Sequence, residues 1–397
     1  MKLLFFSEVY TPWQGGAIVA IRNLMKQFTD NGHEVIMVTG EERKRWRLKG
    51  VRTEQDEECH AKVYRIPAIP YPFNKMASMT IPDFGAIKQI ILTEKPDCIH
   101  IFSPVGIAGK IAMRDAKHLG IPVVVTNHIM PENFTLNVKL PRTLKTVTEK
   151  LIYKDLIDFC NNAKIVTAPT KTAIGLLLKR GLQSEYHVVT NGVDADYFHP
   201  GKPPEKTLER FNLNKTDKYI LYIGRLDGEK RVDLLVQSMP FVSKRLPHAK
   251  LLIGGKGLQN TNLNQLVDTL QIKDNVSFLG MVTEEEKLAL LQATDIFAIA
   301  SPSELQCIAA LEALSCGLPI VVADQMALQE LTDGDKNGFQ FSYPNAEDLA
   351  DKLCILLENP KQLEEMSKNG REWILKHHQL SRVYELFEPI YKQTIQM

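Results

Sequence analysis

Glu304 and Glu312 stand eight residues apart in SPSELQCIAALEALSCGLPIVVAD (301–324), where almost everything between them is apolar or small. Acids in such a setting either cap a helix or accept hydrogen bonds from something that binds there. A helix running from Gln306 to Ser315 would turn the N–H groups of Gln306, Cys307 and Ile308 toward an anion. On a continuous helix, eight positions correspond to about 12 Å of rise and roughly 80° of net rotation. That separation is comparable to the distance between the two sugars of a nucleoside-diphosphate sugar. One acid could serve ribose hydroxyls and the other a second sugar, with the helix end facing the diphosphate. By spacing alone, a capping acid at Glu304 and a core-edge acid at Glu312 account for the pattern equally well.

Other residues could share this chemistry. YIGRLDGEK sets Arg225 and Lys230 five positions apart, and such a pair can clamp a diphosphate, Arg by its fork and Lys as a point charge. A solvated basic turn fits the same spacing. LLIGGKG supplies Gly254, Gly255 and Gly257, which allow close backbone approach or merely a tight turn. TPWQGG ends in Gly15-Gly16 ahead of a helix, another place where backbone N–H groups can meet an anion. This is not GxGxxG, and no acid directly follows the second strand, so dinucleotide oxidoreduction is disfavoured. His128 lies just after the apolar run of VVVTNH. The triplets Asp194-Ala195-Asp196 and Asp333-Gly334-Asp335 read as structural turns rather than metal ligands.

These residues need strands to carry them. KLLFFSEV, EVIMVTG, KVYRIP, PDCIHIFS and IPVVVTNH read as strands in the first half; KYILYIGRL, AKLLIGG, NVSFLG, DIFAIA and LPIVVAD do so in the second. Helical patterns fall between them, near 83–94, 230–245, 261–271, 283–293 and 306–316 among others. Alternation of this kind implies parallel sheets covered on both faces. The 397 residues suit two domains. HPGKPPEKT (199–207) is a natural linker, giving domains over 1–198 and 199–377. A last helix from about 361 onward carries the stripe Tyr384, Phe387, Ile390 and Tyr391, and its end (378–397) is expected to pack back on the first domain. In doubly wound sheets, ligands sit beyond the carboxyl ends of the strands, where these glycines and charges lie. The six cysteines are scattered, without CxxC or a Cys/His cluster, which disfavours zinc and a disulfide framework. The short apolar run at the N-terminus, interrupted by Glu8, reads as a strand rather than a secretion signal.

Taken together, the motifs resemble the retaining glycosyltransferases of family 4, which have the GT-B fold: α/β, with two doubly wound Rossmann-like domains facing across a cleft. Gly15-Gly16 matches the family's N-terminal loop, and TNGVDADYFHP (190–200) its hinge signature. GRLDGEK matches its diphosphate clamp, and SELQCIAALEALSCGLPIVVAD its Glu-x7-Glu signature. The resemblance implies that Arg225 and Lys230 bind the donor diphosphate, Glu312 the ribose and Glu304 the transferred sugar. It places Gly15, Gly16, Gly254, Gly255, Leu305, Gln306, Cys307 and Ile308 along the donor, and His128 beside the reacting anomeric carbon. Catalysis would rest on His128, Glu304, Arg225 and Lys230. The diphosphate charge would be met by the two cations and helix dipoles, so neither a metal nor another cofactor is expected. One departure stands out: Cys307 occupies a position where many members have Gly, leaving less room at the helix N-terminus.

The expected reaction moves a hexose from a nucleoside-diphosphate sugar, UDP-glucose foremost, to a hydroxyl. The lipid-glycosylating branch, including glucosyl-diacylglycerol synthases and phosphatidylinositol mannosyltransferases, looks most similar, which makes GDP-mannose the alternative donor. The acceptor so implied is a lipid or glycan, and the uneven charge suits either an anionic membrane surface or a solvated basic face. Residues 1–200 carry 26 Lys+Arg against 20 Asp+Glu, and residues 201–397 carry 22 against 27, so the halves differ as +6 and −5. RKRWRLKGVR (43–52) and KLPRTLKTVTEKLIYK (139–154) interleave cations with apolar residues. No run is long enough to span a bilayer, so the expected place is cytoplasmic, on the inner face of the membrane, with no nucleic-acid partner. A sugar-nucleotide epimerase and a non-catalytic sugar-nucleotide binding module are the readings of another class.

Overall fold

The computed structural model describes residues 1–12, 15–42, 50–71, 74–80, 85–102, 104, 106–132, 141–214 and 216–397. The chain divides into two compact units, Met1–Gly192 with Leu380–Met397, and Val193–Gln379. The first unit thus ends at Gly192 rather than 198. Val193–Phe198 join the second unit, where the Phe198 carbonyl accepts from Ser315 Oγ at 2.6 Å and from Arg371 Nη1 at 2.9 Å.

In the first unit the strands are β1 (Lys2–Ser7), β2 (Glu34–Glu42), β3 (Arg52–Gln55), β4 (Lys62–Tyr71), β5 (Asn74–Thr80), β6 (Cys98–Ile101), β7 (Val123–Thr126), β8 (Ile165–Ala168) and β9 (Glu185–Val188). They form one sheet in the order β3-β4-β2-β1-β6-β7-β8-β9, with β5 also on β4. The apolar runs that mark the central strands arise because both faces are covered. Alternate residues of β1 enter different cores: Leu4 and Phe6 on one face, Leu3 and Phe5 on the other. The second of these cores takes Ile18, Ile21, Leu24, Met25 and Phe28 from the helix Gly16–Asp30. It also takes Val383, Phe387, Ile390 and Tyr391 from the helix Leu380–Gln396, with Tyr384 packed at its edge.

Two expectations about elements are corrected. The sheet is not purely parallel, since β3 and β5 both pair with β4 antiparallel. Their sequences, RTEQ and NKMASMT, are too polar to read as buried strands. The single last helix is two, Pro360–His377 and Leu380–Gln396, broken at His378-Gln379, and Val193 forms a bridge to Gln379 there.

The second unit has β10 (Lys218–Ile223), β11 (Ala249–Gly254), β12 (Val276–Gly280), β13 (Ile296–Ile299), β14 (Ile320–Ala323) and β15 (Gly338–Phe341). Their order is β12-β11-β10-β13-β14-β15, and every pair is parallel. The chain crosses between strands through the helices Val232–Arg245, Asn260–Thr269, Glu284–Ala293 and Ile308–Ser315. The loops after β10, β11 and β13 therefore open at the carboxyl ends of neighbouring strands, where a doubly wound sheet binds ligands.

Candidate active site

The loop after β10 carries the two cations. Gly224-Arg225-Leu226-Asp227 leads into a 3-10 turn, Gly228–Lys230, and Arg231 takes a left-handed φ of 49° to start the next helix. The Tyr222 hydroxyl donates to the Arg225 carbonyl at 2.8 Å, fixing the turn from below. The loop after β11 is locked against it, with Gly224 N–H donating to the Gly254 carbonyl at 3.0 Å and Leu226 N–H to the Lys256 carbonyl at 3.1 Å. Gly255 has φ +130°, and a Cβ there would lie 1.9 Å from the Gly224 carbonyl oxygen. The glycine at 255 is thus required by loop-on-loop contact as well as by its backbone conformation.

Arg225 is held by its fork. Nη1 donates to Asp227 Oδ2 and Nη2 to Glu229 Oε1, the latter at 2.6 Å. Both acids are buried, and Asp227 Oδ1 also accepts the Leu258 N–H at 3.0 Å. The Arg225 side chain nonetheless stays 37% exposed.

Lys230 Nζ lies 2.6 Å from Glu304 Oε1. Burial lowers the lysine pKa, but the Glu304 carboxylate more than offsets it, and the net shift is upward. Ser301 Oγ, after β13, donates to the Glu229 carbonyl at 3.0 Å and joins the loop that bears Glu304 to the cationic turn. Glu304 and Lys230, 74 positions apart in the chain, are thereby brought to one place.

The helix that follows begins at Ile308 with Cys307 at its N-cap, two residues later than its pattern suggests. Gln306 precedes the helix, so Glu304 and Glu312 do not share a continuous helix and the 12 Å estimate does not apply. Leu305, Gln306, Cys307 and Ile308 are all buried. Cys307 has φ −90°, a conformation that makes no demand for glycine, and its side chain joins the apolar core of the unit. Burial pushes its thiol up to about 12, which leaves it protonated and inert at neutral pH.

Glu312 has a partner that its sequence does not announce. Lys287 Nζ sits 2.8 Å from Glu312 Oε1 and 2.8 Å from Glu284 Oε2, and 4.9 Å from the centre of the Phe198 ring. Burial raises the Glu312 pKa to about 6 against the opposing pull of Lys287. Asp227 and Glu229 were equally overlooked, although they lie within the same seven residues as Arg225 and Lys230.

The remaining candidates belong to the first unit. Gly15 caps the helix Gly16–Asp30 with an extended φ of 165°, and its carbonyl accepts from Ile18 N–H at 3.0 Å. A Cβ at Gly15 would meet no described atom within 4 Å. His128 follows β7 and stacks on Phe102 with centroids 6.2 Å apart and planes 14° off parallel. Burial lowers its pKa to about 4, so the imidazole is neutral at pH 7. Behind it, His100 Nδ1 lies 2.6 Å from Tyr391 Oη and its Nε2 2.6 Å from Thr126 Oγ1, a fully buried polar chain that the sequence pattern did not reveal. Of the two basic segments, 43–49, 139 and 140 lie outside the described residues.

Family models match both halves. Residues 14–197 match Glycosyltransferase Family 4, and residues 205–373 match Glycosyl transferases group 1. The chain is 25% identical over 379 residues to the alpha-monoglucosyldiacylglycerol synthase of Acholeplasma laidlawii, covering 93% of this chain and 92% of that one. It is also 25% identical over 374 residues to the GDP-mannose-dependent alpha-(1-6)-phosphatidylinositol dimannoside mannosyltransferase of Mycobacterium tuberculosis, covering 91% and 89%. Among solved structures, the sucrose-phosphate synthase of Thermosynechococcus elongatus superposes with a TM-score of 0.76 at 19% identity, over 99% of both chains. The chain is therefore a hexosyltransferase of GT-B fold that belongs to the group 1/family 4 glycosyltransferases.

Proposed function

We propose that this enzyme transfers glucose from UDP-glucose to the hydroxyl of a membrane lipid such as diacylglycerol, with retention of the α configuration. The observation that carries the donor half of this reading is the juxtaposition of Arg225, Lys230 and Glu304: two cations suited to a diphosphate, beside an acid suited to sugar hydroxyls. Glu312, held by Lys287, would take the ribose hydroxyls. In the step itself, the bond from the anomeric carbon to the diphosphate oxygen breaks while the acceptor oxygen bonds to the same face. The acceptor proton passes to the departing diphosphate oxygen. Arg225 and Lys230 stabilise the charge that builds there, and neutral His128 would sit beside the anomeric carbon. In this reading Arg225 and Lys230, with helix dipoles, meet the diphosphate charge without a metal ion.

The names of the relatives support a lipid acceptor, and the surface of the first unit offers a place to meet one. The helix Arg142–Cys160 exposes Leu144, Val147 and Leu151 along one stripe, with Lys150 and Lys154 exposed beside it. Apolar and basic residues so arranged suit the interface of an anionic bilayer. Among the described residues, no helix is long and apolar enough to cross a membrane. Peripheral attachment to the cytoplasmic face is the corresponding proposal. The mycobacterial relative favours a second reading, with GDP-mannose as donor and a phosphatidylinositol lipid as acceptor.

The test is to supply UDP-glucose or GDP-mannose with diacylglycerol or phosphatidylinositol in anionic vesicles and to identify the glycolipid and its anomeric configuration. A β-linked product would refute retention. Donor hydrolysis without any lipid product would refute a lipid acceptor. Lys230→Ala should lower turnover about a hundredfold or more, and near-normal turnover would remove Lys230 from the step.

A further inference from the structure

The two cations of the donor site are outnumbered by the acids that hold them. Arg225 and Lys230 face three carboxylates, those of Asp227, Glu229 and Glu304. The three acids are not equivalent. Asp227 and Glu229 lie on the cationic loop itself, two and four residues from Arg225, and Asp227 is also tied to the Leu258 N–H. Both fix the guanidinium in place while leaving it partly exposed. Glu304 arrives from a different strand end, after β13, and takes the ammonium group that a diphosphate would need.

We propose that Glu304 is an internal competitor of the diphosphate for Lys230, and that the transferred sugar relieves the competition. This rests on the donor assignment made above. When an intact sugar nucleotide enters, sugar hydroxyls donate to the Glu304 carboxylate, and Lys230 turns to the diphosphate oxygens. Once the sugar has left for the acceptor, Glu304 loses those donors and its charge again acts on Lys230. The nucleoside diphosphate product must then share Lys230 with that carboxylate, and its departure is favoured. One residue thus distinguishes donor from product at an atom that the two ligands share. A charge placed within a few ångströms of a partly buried diphosphate acts strongly enough for this role.

The prediction has an unusual sign. Glu304→Gln removes the charge and keeps the size, so UDP or GDP, whichever the wild-type enzyme binds, should bind at least about fivefold tighter to the variant. The corresponding sugar nucleotide should gain less or lose affinity, because its sugar forfeits a charged acceptor. Titration calorimetry with UDP, GDP, UDP-glucose and GDP-mannose on the full chain reads both effects, with thermal melts as a control for folding. Glu304→Ala carries the same expectation should the Gln variant fail to fold, and Lys230→Met should weaken diphosphate binding in the same assay. Unchanged or weaker nucleoside-diphosphate binding in a folded Glu304 variant overturns the competition while leaving the donor assignment intact. Wild-type protein that binds neither diphosphate nor either sugar nucleotide overturns both.

Discussion

At Glu312 two opposing effects act on one carboxyl group. Burial disfavours its charge, Lys287 favours it, and the balance leaves its pKa near 6 rather than at the 4.5 of a free glutamate. The ionised form is the better acceptor for ribose hydroxyls, so donor affinity should rise as pH increases from about 5 to 7. Glu312→Gln should flatten that rise, and Lys287→Met should push it to higher pH by leaving burial unopposed. Equilibrium binding of the sugar nucleotide across this range checks both; a pH-independent wild-type affinity would contradict them. The stability effect has the opposite direction. A carboxyl group that keeps its proton to higher pH when folded stabilises the fold below about 4.5, and that contribution is lost as pH rises through about 6. Glu304, Glu312, Arg225 and Lys230 were singled out by motifs taken together, since the spacing of each pair alone fitted a cap or a basic turn equally well. Lys287 was not, since in EEEKLALLQA it reads as part of a solvated helix face, and only the fold carries it to Glu312.

The helix Ile308–Ser315 has a mooring at its far end that bears on the site. Arg371 Nη1 donates to the Ser315 carbonyl at 2.8 Å and to Ser315 Oγ at 2.9 Å, while Nη2 donates to the Ala195 carbonyl at 3.0 Å. A guanidinium there satisfies terminal carbonyls and complements the helix dipole. Arg371→Ala should therefore cost about 3 kcal/mol of stability, measured by urea denaturation, and should weaken donor binding through the displaced helix. A loss below about 0.5 kcal/mol, within the range of an ordinary surface change, would show that the mooring carries little. Most elements were readable from sequence, because IVVA is apolar throughout, KYILYI is so after its exposed Lys218, and their helices have a buried stripe. The polar edge strands β3 and β5 escaped because edge position, not composition, makes them strands. The break at His378-Gln379 escaped because neither Gly nor Pro marks it.

For the molecule as a whole, charge and exposed apolar surface coincide on the first unit. Leu151, 63% exposed on its helix, is the most accessible of the three stripe residues. Leu151→Asp should reduce flotation with anionic vesicles several-fold while leaving the melting temperature nearly unchanged; equal flotation would place the contact elsewhere. Two α/β units were evident from the restarted strand–helix rhythm, but which unit owns the last helix is decided by packing. Phe387, Ile390 and Tyr391 are as much a part of the first unit's core as Phe5 and Phe28. Between Gly192 and Leu380, however, the ribosome must make the entire second unit. The half of the enzyme that is begun first is therefore finished last: throughout synthesis of the second unit, the apolar face that awaits Tyr391 and its neighbours stays open. A chain arrested after Gln379 should contain a folded second unit and a first unit that is readily cut by protease.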